Sequence, residues 1–219
     1  MKILLLTDSV ALPRKHKEGE VQWEEIYYSQ LQQRFPEHNF ILVGIGGATI
    51  TQLQAALNYY VLVKPDLIIL QSGIVDCAPR ALGQLEQELI KKMHLFRFVK
   101  PMTQFLRKHR NISYSSPKIF EAALLKIKNA FAGKTLIGIG ILPGCDAYDK
   151  IVPGITERIK LYNNIIAKHT VYIDNSDFPG EGIIQDFHHM NEVGHRLIFE
   201  KLEPLVRNFL NAEKVTVDA

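Results

Sequence analysis

Apolar residues in this chain of 219 residues gather in five short runs, which longer mixed stretches separate. Within each run the apolar residues follow one another directly. They do not alternate with polar residues, as they would in a strand with one solvent-exposed face. Such runs are typical of parallel strands that are covered on both faces. Strands are predicted over residues 2–7, 40–45, 66–71, 135–142 and 170–174.

The stretches between these runs have helical periodicity, with apolar residues three or four positions apart. Ser116 followed by Pro117 is a typical helix start, and Gly133 is a typical helix end. Pro204 is expected to break or kink the last helix, which starts near Asn191. Further helices are predicted over residues 21–35, 49–63 and 155–167.

Strands and helices alternate along most of the chain, and this pattern predicts an α/β fold. We expect a three-layer, doubly wound, parallel five-stranded sheet with a flavodoxin-like strand order. Residues 78–115 interrupt the alternation and are predicted to form a helical insert between strands three and four. The length fits one domain, residues 1–219, with a full hydrophobic core.

Composition narrows the expected partners and compartment. The formal net charge is only +3, which gives no reason to expect a nucleic-acid partner. Two cysteines cannot form a disulfide framework, and they favour a reducing compartment. The N-terminal apolar run, residues 3–6, is too short for a signal peptide, and Asp8 follows it closely. No segment reaches the roughly 18 apolar residues of a membrane span, so a cytoplasmic protein is expected.

Candidate chemistry collects after the predicted strands, where ligands bind in open parallel sheets. Ser9 follows strand one, whereas Asp186 and His189 follow strand five and are three positions apart. A serine becomes a nucleophile when a histidine takes its proton and a carboxylate orients that histidine. Gly46 and Gly47 follow strand two and could bring a backbone N–H close to an oxyanion.

Taken in order, these motifs resemble the conserved blocks of the SGNH/GDSL hydrolase superfamily. The resemblance implies an SGNH hydrolase fold in which Ser9 is the nucleophile and His189, rather than His188, is the base, with Asp186 orienting it. It also implies an oxyanion hole that includes the backbone N–H groups of Ser9 and Gly47. The matching blocks are Thr7-Asp8-Ser9-Val10, Gly46-Gly47-Ala48-Thr49, Gly73-Ile74-Val75-Asp76, and residues 186–191 with the trailing Gly194-His195.

Val75 is the departure from the superfamily pattern that bears most on catalysis. It stands where the third block carries an asparagine that donates a hydrogen bond to the oxyanion. Loss of one such donor costs roughly 10²–10³ in rate. Arg80 is the first candidate for a substitute donor because its charge suits an oxyanion, ahead of Ser72 and Gln71. Arg80 could equally hold a substrate carboxylate.

Three charged residues near the motifs are candidates for substrate binding: Arg14, Asp76 and Arg80. Arg14 lies just beyond Ser9 and could meet an anionic group, or it could be an ordinary solvated arginine. Asp76 ends the third block and could instead anchor a loop. The stretch 71–80 also resembles a subgroup of the superfamily that is associated with bacterial surface-polysaccharide gene clusters.

The basic segment, residues 91–118, combines eight lysines and arginines with no acidic residue, and large apolar residues lie between these charges. Two interpretations stay open. One is a helical lid, or a contact between the subunits of a homo-oligomer. The other is a basic amphipathic surface that touches anionic lipid or a lipid-linked sugar at the membrane surface.

The resemblance implies a serine esterase that removes an O-acyl group, with O-acetyl on a carbohydrate as the first choice, through an acyl-enzyme. No cofactor is expected for this chemistry, and no tight cluster of histidine and cysteine indicates a metal site. One alternative is an O-acetyltransferase that acts on a surface-polysaccharide precursor, because it would use the same residues. Another alternative, kept open by Val75, is a non-catalytic glycan-binding protein on a hydrolase scaffold.

Overall fold

The computed structural model describes residues 1–17, 19–110 and 112–217, and its main sheet has five strands. The strands are β1 Lys2–Thr7, β2 Asn39–Gly44, β3 Leu67–Gln71, β4 Thr135–Ile139 and β5 Val171–Ile173. Their order across the sheet is β2-β1-β3-β4-β5, and every neighbouring pair is parallel. The structure therefore confirms the α/β fold and the flavodoxin-like strand order that the apolar runs predict.

The inner strands are buried along their whole length. Every residue of β3, and β1 from Ile3 to Thr7, is buried. Side chains on successive positions of a strand point to opposite faces, so both faces of the sheet are covered. This burial explains why the strands appear in the sequence as unbroken apolar runs.

Two groups of helices pack beside the sheet. In one group α1 contacts α11; in the other α2 contacts α8, and α8 contacts α10. Shorter helices follow β3 and β4. The full set among the described residues is α1 Tyr27–Arg34, α2 Ile50–Ala55, α3 Leu57–Tyr60, α4 Ile74–Cys77, α5 Gln84–Lys92, α6 Phe96–Val99, α7 Thr103–Arg110, α8 Pro117–Ala130, α9 Asp146–Ile151, α10 Ile155–His169 and α11 Glu192–Val217.

Helix boundaries differ from the predicted ones in several places. The predicted helix 21–35 opens with a 3-10 turn, Trp23–Glu25, and only then becomes α1. The predicted helix 49–63 is divided into α2, α3 and a final 3-10 turn. The start of α8 is as predicted, because the Ser116 side chain accepts a hydrogen bond from the N–H of Ile119, but α8 ends three residues before Gly133. Helix α11 continues through Pro204, so this proline does not break it.

The chain between α4 and α8 leaves the sheet and returns to it. Helices α5, α6 and α7 lie in this stretch. Its two ends meet where the N–H of Arg80 donates to the carbonyl of Ile112, at 2.8 Å. The basic segment is therefore held close to the third block of the sequence.

Two small elements were not predicted. An exposed hairpin pairs Arg14–His16 with Gly19–Val21, and α9 follows β4. Neither is long enough to produce a recognisable hydrophobic period. Among the described helices, none combines the length and the apolar character that crossing a membrane requires.

Candidate active site

The loops that follow β1, β2 and β3 lie side by side at one edge of the sheet. The N–H of Asp8 donates to the carbonyl of Gln71 at 3.2 Å, and the N–H of Ile45 donates to the carbonyl of Thr7 at 3.0 Å. These bonds extend the strand pairing by one residue beyond each strand end. Ser9 follows directly after this last paired residue of the β1 end.

A short helical turn presents Ser9 at this edge. The Asp8 carboxylate accepts a hydrogen bond from the N–H of Val10, at 2.9 Å, and so caps the 3-10 turn Ser9–Ala11. Such a cap fixes the direction in which the chain leaves the strand. Ser9 is only partly buried, so its hydroxyl can be reached.

Ser9, His189 and Asp186 form one continuous chain of hydrogen bonds. The Ser9 Oγ lies 2.9 Å from His189 Nε2, and His189 Nδ1 lies 2.6 Å from the Asp186 carboxylate. When Nδ1 carries the proton and donates it to Asp186, Nε2 is left as an acceptor for the serine hydroxyl. The structure thus brings together the three residues that the sequence singles out, and it places His189, not His188, against Ser9.

The loop that holds Asp186 and His189 is closed by its own hydrogen bonds. The other oxygen of the Asp186 carboxylate accepts the N–H groups of His188, at 3.1 Å, and His189, at 3.0 Å. The N–H of Ile184 donates to the carbonyl of His189 at 2.9 Å. Phe187 has a φ of +67°, a left-handed conformation that is strained for a bulky residue. This strained residue lets the chain turn tightly enough for the acid to reach an imidazole three positions later.

Burial, hydrogen bonds and neighbouring charges shift the pKa values of the acid and of the second histidine in this loop. Burial would raise the pKa of Asp186, but the hydrogen bond from His189 and the charges of the two histidines outweigh it and hold that pKa well below its usual range. Burial and then the neighbouring His189 lower the pKa of His188. The His188 ring stacks on Tyr148, with ring centroids 6.0 Å apart, and its Nδ1 lies 2.7 Å from the Asp186 carbonyl oxygen. His188 therefore has a packing role here.

Arg14 connects the nucleophile's turn to the acid. Its guanidinium donates to the backbone carbonyl of Ser9 at 2.9 Å, and its Nη1 lies 3.9 Å from the Asp186 carboxylate. The side chain is only 21% exposed. The sequence singles out Arg14 for substrate binding, but its guanidinium already donates to the Ser9 carbonyl and lies near the Asp186 carboxylate. Arg14 also lines a separate shallow cavity, on the hairpin side of Asp186.

The candidate oxyanion donors come from two of the strand-end loops. Gly47 has a φ of +70°, a conformation that favours glycine, and no described hydrogen bond uses its N–H. Val75, in α4, lies in the wall of the same cavity as Ser9 and offers no donor. Arg80 lines this cavity too, and its Nη2 donates to the carbonyl of Val75 at 3.0 Å.

Asp76 has a structural role in this geometry. Its side chain is 0% exposed, and its carboxylate accepts hydrogen bonds from the N–H of Ile50, at 3.0 Å, and from the Ser115 hydroxyl. It connects the start of α2 to Ser115, which lies just before α8. The expected contact between Asp76 and substrate has no support in this structure, because the carboxylate is buried away from the cavity, whereas the alternative of a loop anchor fits.

An open cavity of about 340 Å³ lies directly beside Ser9. Its lining combines apolar residues of α4 and α9, and Phe187, with the polar side chains of Arg80, Arg107 and Tyr148. Arg107 and Tyr148 were not singled out from the sequence; the only signal for Arg107 was its place in the basic segment, and Tyr148 gave none.

Asp186, His188 and His189 also form a group of metal-binding type, with ligand atoms within 4.8 Å of one another. The sequence indicates no metal here. In the structure both ring nitrogens of His189 already have partners, Ser9 and Asp186. A metal ion would have to displace these hydrogen bonds, so the geometry favours the Ser-His-Asp arrangement.

The two cysteines, Cys77 and Cys145, are both free thiols.

The fold is shared with solved structures of lipolytic and esterase proteins. A lipase/acylhydrolase from Enterococcus faecalis superposes with a TM-score of 0.66 at 18% identity, covering 94% of this chain and 95% of that chain. A lipolytic G-D-S-L family member from Veillonella parvula gives 0.60 at 16% identity, covering 94% and 98%. An acetyl xylan esterase gives 0.58 at 18% identity, covering 94% and 100%. No protein-family model and no curated protein sequence matches this chain. These structural matches show that the chain shares the α/β fold of these proteins.

Proposed function

We propose that this protein is a serine ester hydrolase. The observation that carries the proposal is the continuous hydrogen-bonded chain from Ser9 through His189 to Asp186, at 2.9 and 2.6 Å. A nucleophile within reach of a base, and a base oriented by a third group, is the geometric signature of nucleophilic catalysis. The shared fold with GDSL-type lipases and an acetyl xylan esterase supports the same reaction class.

In the first half of the reaction the Ser9 hydroxyl attacks the ester carbonyl. His189 Nε2 accepts the serine proton, and the charged Asp186 stabilises the imidazolium that results. The oxyanion that develops on the substrate accepts hydrogen bonds from the backbone N–H groups of Ser9 and Gly47. Arg80 remains a candidate for a further donor, because it lines the same cavity as Ser9. His189 then returns its proton to the leaving alcohol, and an acyl-enzyme on Ser9 remains.

In the second half water attacks the acyl-enzyme. His189 takes a proton from this water, the second tetrahedral intermediate collapses, and the carboxylic acid leaves while Ser9 recovers its proton. All of these steps use groups of this chain, water and substrate.

We propose an O-acyl group on a carbohydrate, with O-acetyl as the first choice, as the substrate. A cavity of about 340 Å³ beside Ser9 has room for a sugar unit and a short acyl chain. The structural likeness to an acetyl xylan esterase is in keeping with this choice. Transfer of the acetyl group to a second sugar, as in surface-polysaccharide biosynthesis, is the alternative reaction, and measuring free acetate against acetylated acceptor separates the two.

A fluorophosphonate probe with 4-nitrophenyl acetate turnover tests the central proposal. Wild type should be labelled and should release nitrophenol, and Ser9→Ala should lose both. His189→Ala should cost nearly as much, since triad residues act as a unit and the loss reaches about 10⁶ in the best-studied case. His188→Ala is the matched control and should keep most activity. A wild-type protein that neither labels nor turns over would instead favour the non-catalytic, glycan-binding alternative.

We also propose that the basic segment contacts an anionic lipid surface. Five of its large apolar side chains are exposed: Met93, Leu95, Phe98, Met102 and Phe105. Exposed apolar side chains among lysines and arginines suit the interface of a membrane with anionic headgroups. A second copy of the chain is a poorer occupant, because a symmetric contact would bring two basic faces together.

A further inference from the structure

Two arginines from distant parts of the chain line the cavity beside Ser9. Arg80 follows α4, and Arg107 lies in α7, within the basic segment. Arg80 donates to the carbonyl of Val75 at 3.0 Å and Arg107 to the carbonyl of Ile151 at 3.2 Å. The Nε of each is buried without a hydrogen-bond partner. A guanidinium carries five N–H donors, so both groups keep donors to spare.

The carboxylates near these arginines are already engaged. Asp186 lines the same cavity, but it accepts the imidazole of His189 and two backbone N–H groups. Asp76 lies close enough for the charge of Arg80 to act on its pKa, yet it is fully buried on other partners. No ion pair between a carboxylate and Arg80 or Arg107 occurs among the described residues. Two arginines therefore line one cavity, and neither is ion-paired with a carboxylate in the part of the chain that the structure describes.

The surroundings hold these charges in place despite their repulsion. Burial, and then the positive charge of Arg80, lower the pKa of Arg107. Arg80 lies over the Tyr114 ring, 4.3 Å from its centroid, a cation–π contact that fixes the guanidinium. Burial raises the pKa of Tyr148 to about 12, so its hydroxyl keeps its proton and can donate a hydrogen bond. Such an arrangement is costly when empty and is relieved by a bound anion.

We propose that Arg80 and Arg107, with the Tyr148 hydroxyl, form an anion clamp that selects esters carrying a carboxylate or phosphate group. Guanidinium forks match these planar or tetrahedral oxyanions in a bidentate way. The clamp and Ser9 share one cavity, so the anion and the ester belong to the same small substrate. An O-acetylated acidic carbohydrate fits this description. The proposal rests on the proposed esterase function, because the clamp is defined by its place beside Ser9.

A matched pair of acetate esters tests the clamp. 4-Acetoxybenzoate carries a carboxylate on its alcohol part, and phenyl acetate is its neutral counterpart. Wild type should have a lower KM for the charged ester. Arg107→Gln should raise that KM about 10-fold or more, which is the usual loss for a hydrogen bond to a charged group. The same variant should change the KM for phenyl acetate far less than the KM for 4-acetoxybenzoate, because the neutral ester offers the guanidinium no anion.

Two further variants sharpen the result. Lys108→Gln removes the same charge from the next, exposed position of α7 and should change neither KM. Arg107→Lys keeps the charge but loses the fork, so it should recover only part of the affinity. Equal effects of Arg107→Gln on both esters, or no effect on either, would overturn the clamp.

Inorganic phosphate provides a measurement that does not depend on turnover. Calorimetry should detect phosphate binding to wild type and to Lys108→Gln, and clearly weaker binding to Arg107→Gln. Phosphate should also compete with 4-acetoxybenzoate in wild type. If both esters fail to react while phosphate binds in this pattern, the esterase proposal fails, and only anion binding by Arg107 is supported. If phosphate binds equally to wild type and Arg107→Gln, the clamp is wrong whatever the activity.

Discussion

The guanidinium of Arg14 donates a hydrogen bond of 2.9 Å to the backbone carbonyl of Ser9. The same side chain reaches to 3.9 Å from the Asp186 carboxylate, so it bridges the nucleophile's turn and the loop that holds acid and base. Arg14 belongs to the small two-stranded hairpin and not to the five-stranded sheet. The relative position of Ser9 and His189 therefore depends on an element outside the core.

Arg14→Gln should lower kcat for a neutral ester by about 10–100-fold, the range that follows from losing a hydrogen bond of a charged group. KM should change little, because Arg14 acts through Ser9 and Asp186 and does not contact a neutral substrate. The measurement is steady-state turnover of 4-nitrophenyl acetate, with fluorophosphonate labelling rates beside it. Lys15→Gln, at the next and highly exposed position, is the control. A rise in KM with kcat unchanged would instead support the direct substrate role that the sequence suggests.

Val75→Asn should raise neutral-ester turnover, by up to about 10²-fold if the new amide aligns with the oxyanion. The reason is that valine occupies the cavity wall beside Ser9 without offering a donor. Val75→Leu, which keeps the wall apolar, should give no such gain. Unchanged turnover in Val75→Asn would mean that other donors already complete the oxyanion hole.

Asp8→Asn should remove a pH-dependent cost to stability. Burial above all, together with the nearby Asp76, raises the pKa of Asp8 to about 7, and one of its carboxylate oxygens has no hydrogen-bond partner. The folded protein therefore holds the Asp8 proton between about pH 4 and 7, where the unfolded chain has released it. This contribution to the free energy of unfolding is complete below about pH 4, decreases progressively between about pH 4 and 7, and is absent at higher pH.

Thermal unfolding at pH 5 and pH 8 measures this effect. Asp8→Asn should raise Tm at pH 8 by at least about 5 °C, given roughly 2–4 °C per kcal/mol for a chain of this size. It should raise Tm much less at pH 5, because most of the loss of stability linked to Asp8 accumulates between about pH 5 and 7. Asp177→Asn, at an exposed carboxylate, serves as the control. A Tm difference that is the same at both pH values would contradict a buried, titrating Asp8.

The basic segment should bind anionic vesicles. In sedimentation assays the protein should pellet with phosphatidylcholine vesicles that contain phosphatidylglycerol and stay in solution with phosphatidylcholine alone, and added salt should release it. Phe98→Ser with Phe105→Ser should weaken binding, because both side chains are exposed apolar groups of the segment. Leu62→Ser, at an exposed apolar residue elsewhere, should not. Failure to pellet at low salt, or a dimer that Phe98→Ser disrupts, would show that the lipid proposal is wrong.

Residues that follow strands were accessible to sequence reasoning. Unbroken apolar runs located all five strands, and the rule that ligands bind at the carboxyl ends of parallel strands brought Ser9, Asp186 and His189 into one neighbourhood. An apolar run and the polar residues after it were enough to predict these site residues, because the carboxyl ends of parallel strands lie at one edge of the sheet. The same reasoning left Asp76 with two roles, substrate binding or loop anchor, since the direction of a side chain after a strand depends on the helix that follows.

Site residues that lie in short helices or in the short hairpin could not be predicted from the sequence. Arg107 arrives on α7 and Tyr148 on α9, and no hydrophobic period tells where such short helices fold back. The bridge from Arg14 to Asp186 depends on a hairpin whose strands have three residues each. The left-handed turn at Phe187 was equally hidden, because strain of this kind comes from surrounding contacts and not from residue preference.

Acid and base lie three positions apart on one self-closed loop, whereas the nucleophile is 180 positions away along the chain. If the chain were cut in the exposed turn at Gly133, the proton-accepting pair would stay whole on the C-terminal fragment and the serine would stay on the N-terminal one. Neither fragment would hold a working site, and the missing links would be the hydrogen bond between Ser9 and His189 and the contact between Arg14 and Asp186. Ester turnover from such a split protein would therefore report reassembly of the sheet between β3 and β4.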